Sequence, residues 1–464
     1  MVVSDMAPPL TRDEWVARGR EMVADRERRI ARAKAWKFDT VATHGVYDLE
    51  QAMSLNNGSI MEPVYLSPAQ AYRDTAEMEV ALAYEMPTWC YSRIANPSTF
   101  FLEETTALLE TYGTDLKATC VGTASGMAAI RTATDPFLVR DDDLGPANMV
   151  ASARVYGGTF QQFWVRRCQE NGIDVRWVID PLNLDEWAEH VDGNTRFVYG
   201  EFPSNPSVSI FDIEAVAKIA HKQDIPLIVD ATCASPALTR PLAMGADIVI
   251  QSASKVMGGS GTSICGLLTA RHDIPSKVGS DEMRADFAGW AKLWPFRDNG
   301  PALNPMAAIL VLNDLRTLRM RIEKMSRTTL EVARYLEAHP KVDRVHYPGL
   351  ESCPGHELAC KTMRLVDSGE PMFGYMLAAD IAEADPDSQI NTRRFYDALS
   401  MIWRATDLGR VKTVATLNAI STHQQQGEEG RRLASIRPST CRISCGIEDV
   451  HDIIADLDHA LAAI

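Results

Sequence analysis

Between Leu116 and Ser252 the chain repeats one pattern, a short β-branched apolar run followed by an amphipathic stretch of helical period. Asn148–Ser152, Thr195–Gly200, Pro226–Asp230 and Asp247–Ser252 are such runs, with the composition of strands buried in a parallel sheet. Between two of them, Ile213 to Gln223 sets Val216, Ile219 and Ala220 on one helical face. Alternation of this kind predicts an α/β domain that presents its ligand at the carboxyl ends of its strands. The chain has 464 residues, 46% of them hydrophobic, enough for a sizeable core divided between two or three domains.

The flanks differ. Thr11 and Glu14 have capping-box spacing before a highly charged stretch that predicts a surface helix to about Lys34. Beyond Asn304 helical periodicity covers Ala307 to Arg321 and Ser326 to His339, and Pro340 with the Tyr347-Pro348-Gly349 turn marks a break. A strand-like Cys441–Cys445 and an amphipathic helix carrying Val450, Ile453, Ile454, Leu457 and Leu461 close the chain.

Charge and composition exclude several functions. With 47 Lys and Arg against 62 Asp and Glu, the net charge of −15 argues against a nucleic-acid partner. No apolar run is long enough to span a bilayer, and Met1 to Leu10 lacks the basic and apolar blocks of a signal peptide. The nine cysteines are scattered, without the spacing of a zinc site or redox dithiol, which predicts reduced thiols in the cytoplasm and no metal.

Three features fall where such a sheet would present a ligand. Gly122-Thr-Ala-Ser125-Gly126-Met127 turns into a helix whose first N–H groups suit a phosphate, although Ser-Gly also begins many helices as a simple cap. Asp230 ends a buried run and needs a cation or a capping role. Lys255 follows Gln251-Ser252-Ala253-Ser254 and precedes a glycine turn. There a partly desolvated amine can form an imine, although most single lysines are solvated surface groups. A phosphate cradle, an acid for a pyridinium nitrogen and a lysine for an aldehyde are together the requirements of pyridoxal phosphate.

With Tyr91-Ser92-Arg93, Asn96-Pro97, Tyr156-Gly157-Gly158-Thr159, Asn205-Pro206 and Arg442 to Asp449, these motifs resemble the Cys/Met-metabolism group of pyridoxal-phosphate enzymes from about Phe38 to Ile464. The resemblance implies an aspartate-aminotransferase-like α/β fold (fold type I), with a mainly parallel central sheet and a smaller C-terminal α/β domain. Residues 1–105 would form a helical arm and subunit-contact segment, 106–305 the cofactor domain and 306–464 the C-terminal domain. Lys255 would carry the cofactor as a Schiff base and shuttle protons, Tyr156 would stack on the ring and assist proton transfer as a second catalytic residue, Asp230 would pair with the ring nitrogen, and Asn205 would lie near its oxygen. Ser125, Gly126 and Met127 with Ser252 and Ser254 would hold the phosphate. Tyr91 and Arg93 would reach a neighbouring subunit's phosphate, so the complete site implies a homo-oligomer, a homotetramer built of dimers. Arg442 would clamp the substrate α-carboxylate bidentately. Without the resemblance, Tyr91 reads as packing, Arg442 as a surface ion pair and Asn205 as a turn former.

Within that group the reaction turns on fewer residues. Gly158 stands where methionine γ-lyases resemble one another in carrying a cysteine. Lys412 aligns with a glutamate of cystathionine synthases and lyases, and would repel a distal ammonium. O-acetylhomoserine sulfhydrylases are similar at Lys412, at Gly261-Thr262-Ser263-Ile264 and at Leu315-Arg316-Thr317-Leu318 with Arg321. Val256, Ser260, Asp407 and Leu417-Asn418 depart from the usual residues and fall around the substrate mouth, where Asp407 replaces a Ser or Asn. The expected function is γ-replacement on an O-activated homoserine, adding sulfide, a thiol or another nucleophile at Cγ through a vinylglycine intermediate. The alternatives are a methionine or cystathionine γ-lyase and a non-catalytic scaffold of the same fold.

Overall fold

The computed structural model describes residues 9–141, 143–385 and 387–464. Its centre is a seven-stranded sheet of β1 (Ala118–Thr123), β2 (Asn148–Ser152), β3 (Asp174–Val178), β4 (Thr195–Glu201), β5 (Leu227–Asp230), β6 (Ile248–Gln251) and β7 (Gly266–Arg271), in the order β1-β7-β6-β5-β4-β2-β3. The pairs from β3 through β6 are parallel. β7 runs antiparallel to both β6 and β1, so β1 points the same way as β4, β5 and β6. The carboxyl ends of β1, β2, β4, β5 and β6 therefore meet at one edge of the sheet, where ligands of open α/β sheets bind.

All residues of β2, β4, β5 and β6 are buried. Helices cover the sheet, which is why these strands read as continuous apolar runs. The helix Ile213–His221 buries Ile213, Val216, Ala217 and Ala220. The predicted strands match the observed ones to within a residue or two. β1, β3 and β7 of this sheet were not among the predicted runs, β7 because Gly266-Leu-Leu-Thr-Ala-Arg lies close behind the glycine-rich turn.

A second, five-stranded sheet comprises β8 (Val342–His346), β9 (Met376–Ile381), β10 (Trp403–Arg404), β11 (Val414–Leu417) and β12 (Thr440–Ser444), in the order β10-β11-β12-β9-β8. Only β10 and β11 pair in parallel. The helical periodicity beyond Asn304 resolves differently from the expectation. One helix spans Pro305–Leu315 and a second runs unbroken from Leu318 to Glu337, so the break falls at Arg316-Thr317 rather than beyond Arg321. Asn304 caps the first of these, accepting from Met306 N at 2.9 Å.

The N-terminal helix Arg12–Lys34 has the predicted capping box, with Thr11 N donating to Glu14 Oε2 at 2.7 Å. It docks through one narrow stripe of Trp15, Gly19 and Ala33. Among the described residues no helix is long and apolar enough to cross a membrane.

Candidate active site

The shared strand edge opens into a cavity of about 420 Å³, a size ordinary for a small-molecule site. Each strand delivers one part of its wall. Beyond β1, Ser125 caps the helix Gly126–Thr134; β2 leads to Tyr156; β4 ends in Glu201, β5 in Asp230, and β6 runs into Ser252, Ser254 and Lys255. The second sheet contributes Arg442 from β12, and the loop after β10 contributes Asp407 and Arg410. The topology thus gathers Ser125, Gly126, Met127, Tyr156, Asn205, Asp230, Ser252, Ser254, Lys255, Asp407 and Arg442 from the sequence-based set.

Gly126 lets the helix start lie against Ser252. A Cβ there would stand 2.7 Å from Ser252 Cβ and 2.9 Å from its Oγ. The exposed N–H groups of this turn and Ser252 form a cradle that a side chain would fill, as an anion site at a helix N-terminus requires. Two of the serines expected at the phosphate also bond backbone groups of the protein. The Ser125 hydroxyl is the helix cap, accepting from Ala128 N at 3.2 Å. The Ser254 hydroxyl is engaged with Cys265, accepting from its N at 2.8 Å and donating to its O at 3.2 Å. Both pair backbone groups that strand ends and helix starts leave open, and the Ser125 hydroxyl keeps its own proton for a further acceptor.

Asp230 is buried and accepts from Thr232 through its N at 3.0 Å and its Oγ1 at 2.5 Å. Parallel pairing of β4 and β5 puts Glu201 beside it, a residue that sequence reasoning missed. Burial, and for Glu201 also the charge of Asp230, raises both carboxyls above their ordinary values. Glu201 binds Tyr156 N at 2.7 Å, Asn205 N at 3.2 Å and Thr159 Oγ1 at 3.3 Å, so it fixes the backbone of two predicted site residues. Two buried acids with no cation bonded to either constitute a place for a cationic ring nitrogen.

Arg442, in the central strand of the second sheet, is 1% exposed. Its Nη1 donates to Asn205 Oδ1 at 2.9 Å and its Nη2 to the Asp407 carbonyl at 2.7 Å, while Nε is buried without a partner. A buried guanidinium with a spare donor and no carboxylate bonded to it is a carboxylate receptor in waiting.

Lys255 Nζ donates to Asp407 Oδ1 at 3.0 Å. Asp407, expected to bind substrate, lines the cavity and pairs with this lysine, because Gly409 brings its loop onto the Lys255 backbone. Gly409 has φ +72°, and a Cβ there would lie 2.6 Å from Val256 N. Burial opposes ionisation of Asp407, but the Lys255 charge and hydrogen bonds from Arg410 and Lys255 outweigh it and hold the carboxyl below its usual value.

Three expected residues do not line the cavity. Lys412 is exposed, with Nζ 4.9 Å from the centre of the Trp403 ring, so the charge-inversion argument has no contact in this chain to act through. Tyr91 and Arg93 lie together on the surface, the Arg93 guanidinium 5.4 Å from the Tyr91 ring centre and hydrogen-bonded to the Arg297 carbonyl. Among the described residues no group of His, Cys, Asp and Glu could hold a metal ion, and all nine cysteines are unpaired.

A phosphate cradle, buried acids and a lysine at adjoining strand ends define a pyridoxal-phosphate enzyme of fold type I, and the donor set fits that cofactor. Residues 40–462 match the Cys/Met metabolism PLP-dependent enzyme family, and the chain belongs to it. It is 33% identical over 434 residues to an L-methionine gamma-lyase of Fusobacterium nucleatum subsp. polymorphum, covering 93% of this chain and 99% of that one. It is 31% identical to an O-acetyl-L-homoserine sulfhydrylase of Corynebacterium glutamicum, over 93% of this chain and 98% of the other. A solved Campylobacter jejuni chain described as an O-acetylhomoserine (thiol)-lyase, containing N'-pyridoxyl-lysine-5'-monophosphate, superposes with a TM-score of 0.80 at 29% identity, over 92% of this chain and all of that one.

Proposed function

We propose that this enzyme replaces the γ substituent of an O-activated homoserine, with Lys255 as the cofactor lysine. The carrying observation is Gly158. A Cβ there would lie 2.6 Å from Tyr156 Cε1 and 3.2 Å from Met127 Sδ, so these two side chains occupy the place where methionine γ-lyases resemble one another in carrying a cysteine.

Backbone N–H groups of Gly126 and Met127, with Ser252, would hold the cofactor phosphate, Asp230 would hold its ring nitrogen, and Tyr156 and Asn205 would flank its ring. The bound cofactor supplies an electron sink for the pair left when Cα loses its proton. Arg442 receives the substrate α-carboxylate on its free donor and sets Cα before Lys255. Lys255 Nζ would take the Cα proton and, a free amine again once that proton is handed on, a Cβ proton, as the oxygen leaving group departs from Cγ with its bonding pair. Sulfide or a thiol adds at Cγ and the same amine returns the protons. Tyr91 and Arg93 serve a neighbouring subunit's phosphate in a homotetramer, which their exposed placement supports. Lys412 has no assigned contact to substrate. The unpaired cysteines support a cytoplasmic setting.

The second reading, γ-elimination, is favoured by the likeness to the Fusobacterium lyase. Supplying O-acetylhomoserine with and without sulfide separates the two. Replacement yields homocysteine only with sulfide. Release of 2-oxobutanoate from methionine at a comparable rate would overturn it in favour of elimination.

A further inference from the structure

Lys255 leaves β6 on a loop whose carbonyls are gripped by two arginines. Arg321 donates to the Val256 and Met257 carbonyls at 2.5 and 3.3 Å. Arg410 donates to the Ser254 carbonyl and, at 3.0 Å, to that of Gly258. Only Arg410 of these two also holds a carboxylate, its Nε lying 2.5 Å from Asp407 Oδ2. The other oxygen of that carboxylate is 3.0 Å from Lys255 Nζ. Asp407 therefore sits between two cations, one permanent and one titratable. Glu201, Asp230, Tyr156, Cys233 and Arg442 are the remaining titratable or charged groups of this cavity. Of these, only Arg442 bonds to Asp407, and through its carbonyl rather than its carboxylate.

An anion shared with a fixed cation attracts a second cation less strongly than a free one does. We propose that Arg410 is a positioning residue that, by sharing the charge of Asp407, limits how tightly this carboxylate holds the Lys255 ammonium and so makes the free amine available. When the ammonium gives its proton to solvent, Asp407 keeps its charge and its bond to Arg410. The Nζ lone pair is then free to form the bond to an aldehyde carbon, whose oxygen departs as water. Arg410 and Asp407 form a pair particular to this loop, and neither needs to touch substrate for the effect. The inference deepens the reading of Lys255 as the cofactor lysine and is independent of the choice between replacement and elimination.

Acetic anhydride labelling of the full-length chain, freed of cofactor, reads the Lys255 amine directly when its acetylation is followed by mass spectrometry from pH 6 to 11. D407N lowers the labelling midpoint by about one unit, so that about tenfold more free amine is present below it. R410Q moves the midpoint the opposite way, upward by about one unit, because Asp407 then has Lys255 as its sole cation. D407N/R410Q behaves as D407N does, since Arg410 acts through the carboxylate. R410K, a point charge without the fork, falls between wild type and R410Q. In the holoenzyme the low-pH limb of Cα deuterium exchange shifts in the same order. Midpoints of D407N and R410Q that move together, or a double variant in which the two effects simply add, would reduce Arg410 to a carbonyl clamp and overturn the proposal. Should R410Q fail to fold, an unshifted R410K midpoint overturns it equally. Failure of the cofactor-lysine reading is distinguishable, because borohydride would then fix the cofactor elsewhere while the labelling order stood.

Discussion

Gly126 shows how a single missing methyl shapes this site. A Cβ 2.7 Å from that of Ser252 must push the helix start away from the strand end, so Gly126→Ala should weaken pyridoxal phosphate binding tenfold or more in a fluorescence titration. Binding unchanged within twofold would show that the phosphate lies elsewhere. Residues of this kind were legible in the sequence because their neighbours in the chain are also their neighbours in space: Ser125-Gly126-Met127, and Ser252 with Ser254 and Lys255. Glu201 was not. Its meaning comes from parallel register with Asp230, 29 positions along the numbering, and the expected strand stopped one residue short of it. Arg410 was missed because two of its partners, the Ser254 and Gly258 carbonyls, lie far from it in the chain. Lys412 was misread because alignment places a backbone position and says nothing of where a long side chain goes; here it goes to Trp403.

At the scale of elements, one loop brings the second sheet to the site and one carboxylate ties its C-terminal helix in place. Gly409 combines a positive φ with a 2.6 Å approach to Val256 N. Gly409→Ala should therefore cost about 2 kcal/mol or more in urea unfolding and displace Asp407 from Lys255. The C-terminal helix Val450–Ala462 was predicted from its apolar face, and that face is buried as expected. Its polar anchor was not visible in the periodicity. Asp456 accepts from Ser400 N at 2.9 Å, Met401 N at 3.1 Å and Ile402 N at 2.8 Å, tying the helix to the segment before β10. Asp456→Ala leaves these donors without their acceptor and should lower stability by about 2–4 kcal/mol, read from the urea midpoint at constant slope. The Pro305–Leu315 and Leu318–Glu337 boundary was misplaced because apolar periodicity continues across Arg316-Thr317, where only the backbone turns.

Over the whole molecule, acid stability carries a further signature of the fold. His423 is buried against Val155, and burial pushes its imidazole down to about 4. A folded value below the unfolded one means that the unfolded chain binds the proton first. Its contribution is then complete above about pH 6.5 and lost as pH falls toward 4, at up to about 1.4 kcal/mol per unit. His423→Gln should flatten stability over that window, and an unchanged slope in chemical unfolding from pH 7 to 4.5 would exclude the histidine as its source. The proposed homotetramer should appear in light scattering as a multiple of the 51.3 kDa chain. The account rests most heavily on Lys255, and reducing the yellow holoenzyme with borohydride tests it on the intact protein. Peptide mapping should find the pyridoxyl adduct on Lys255 alone and no adduct in Lys255→Ala; an adduct on another lysine, or retention of the fixed cofactor by Lys255→Ala, would contradict the assignment.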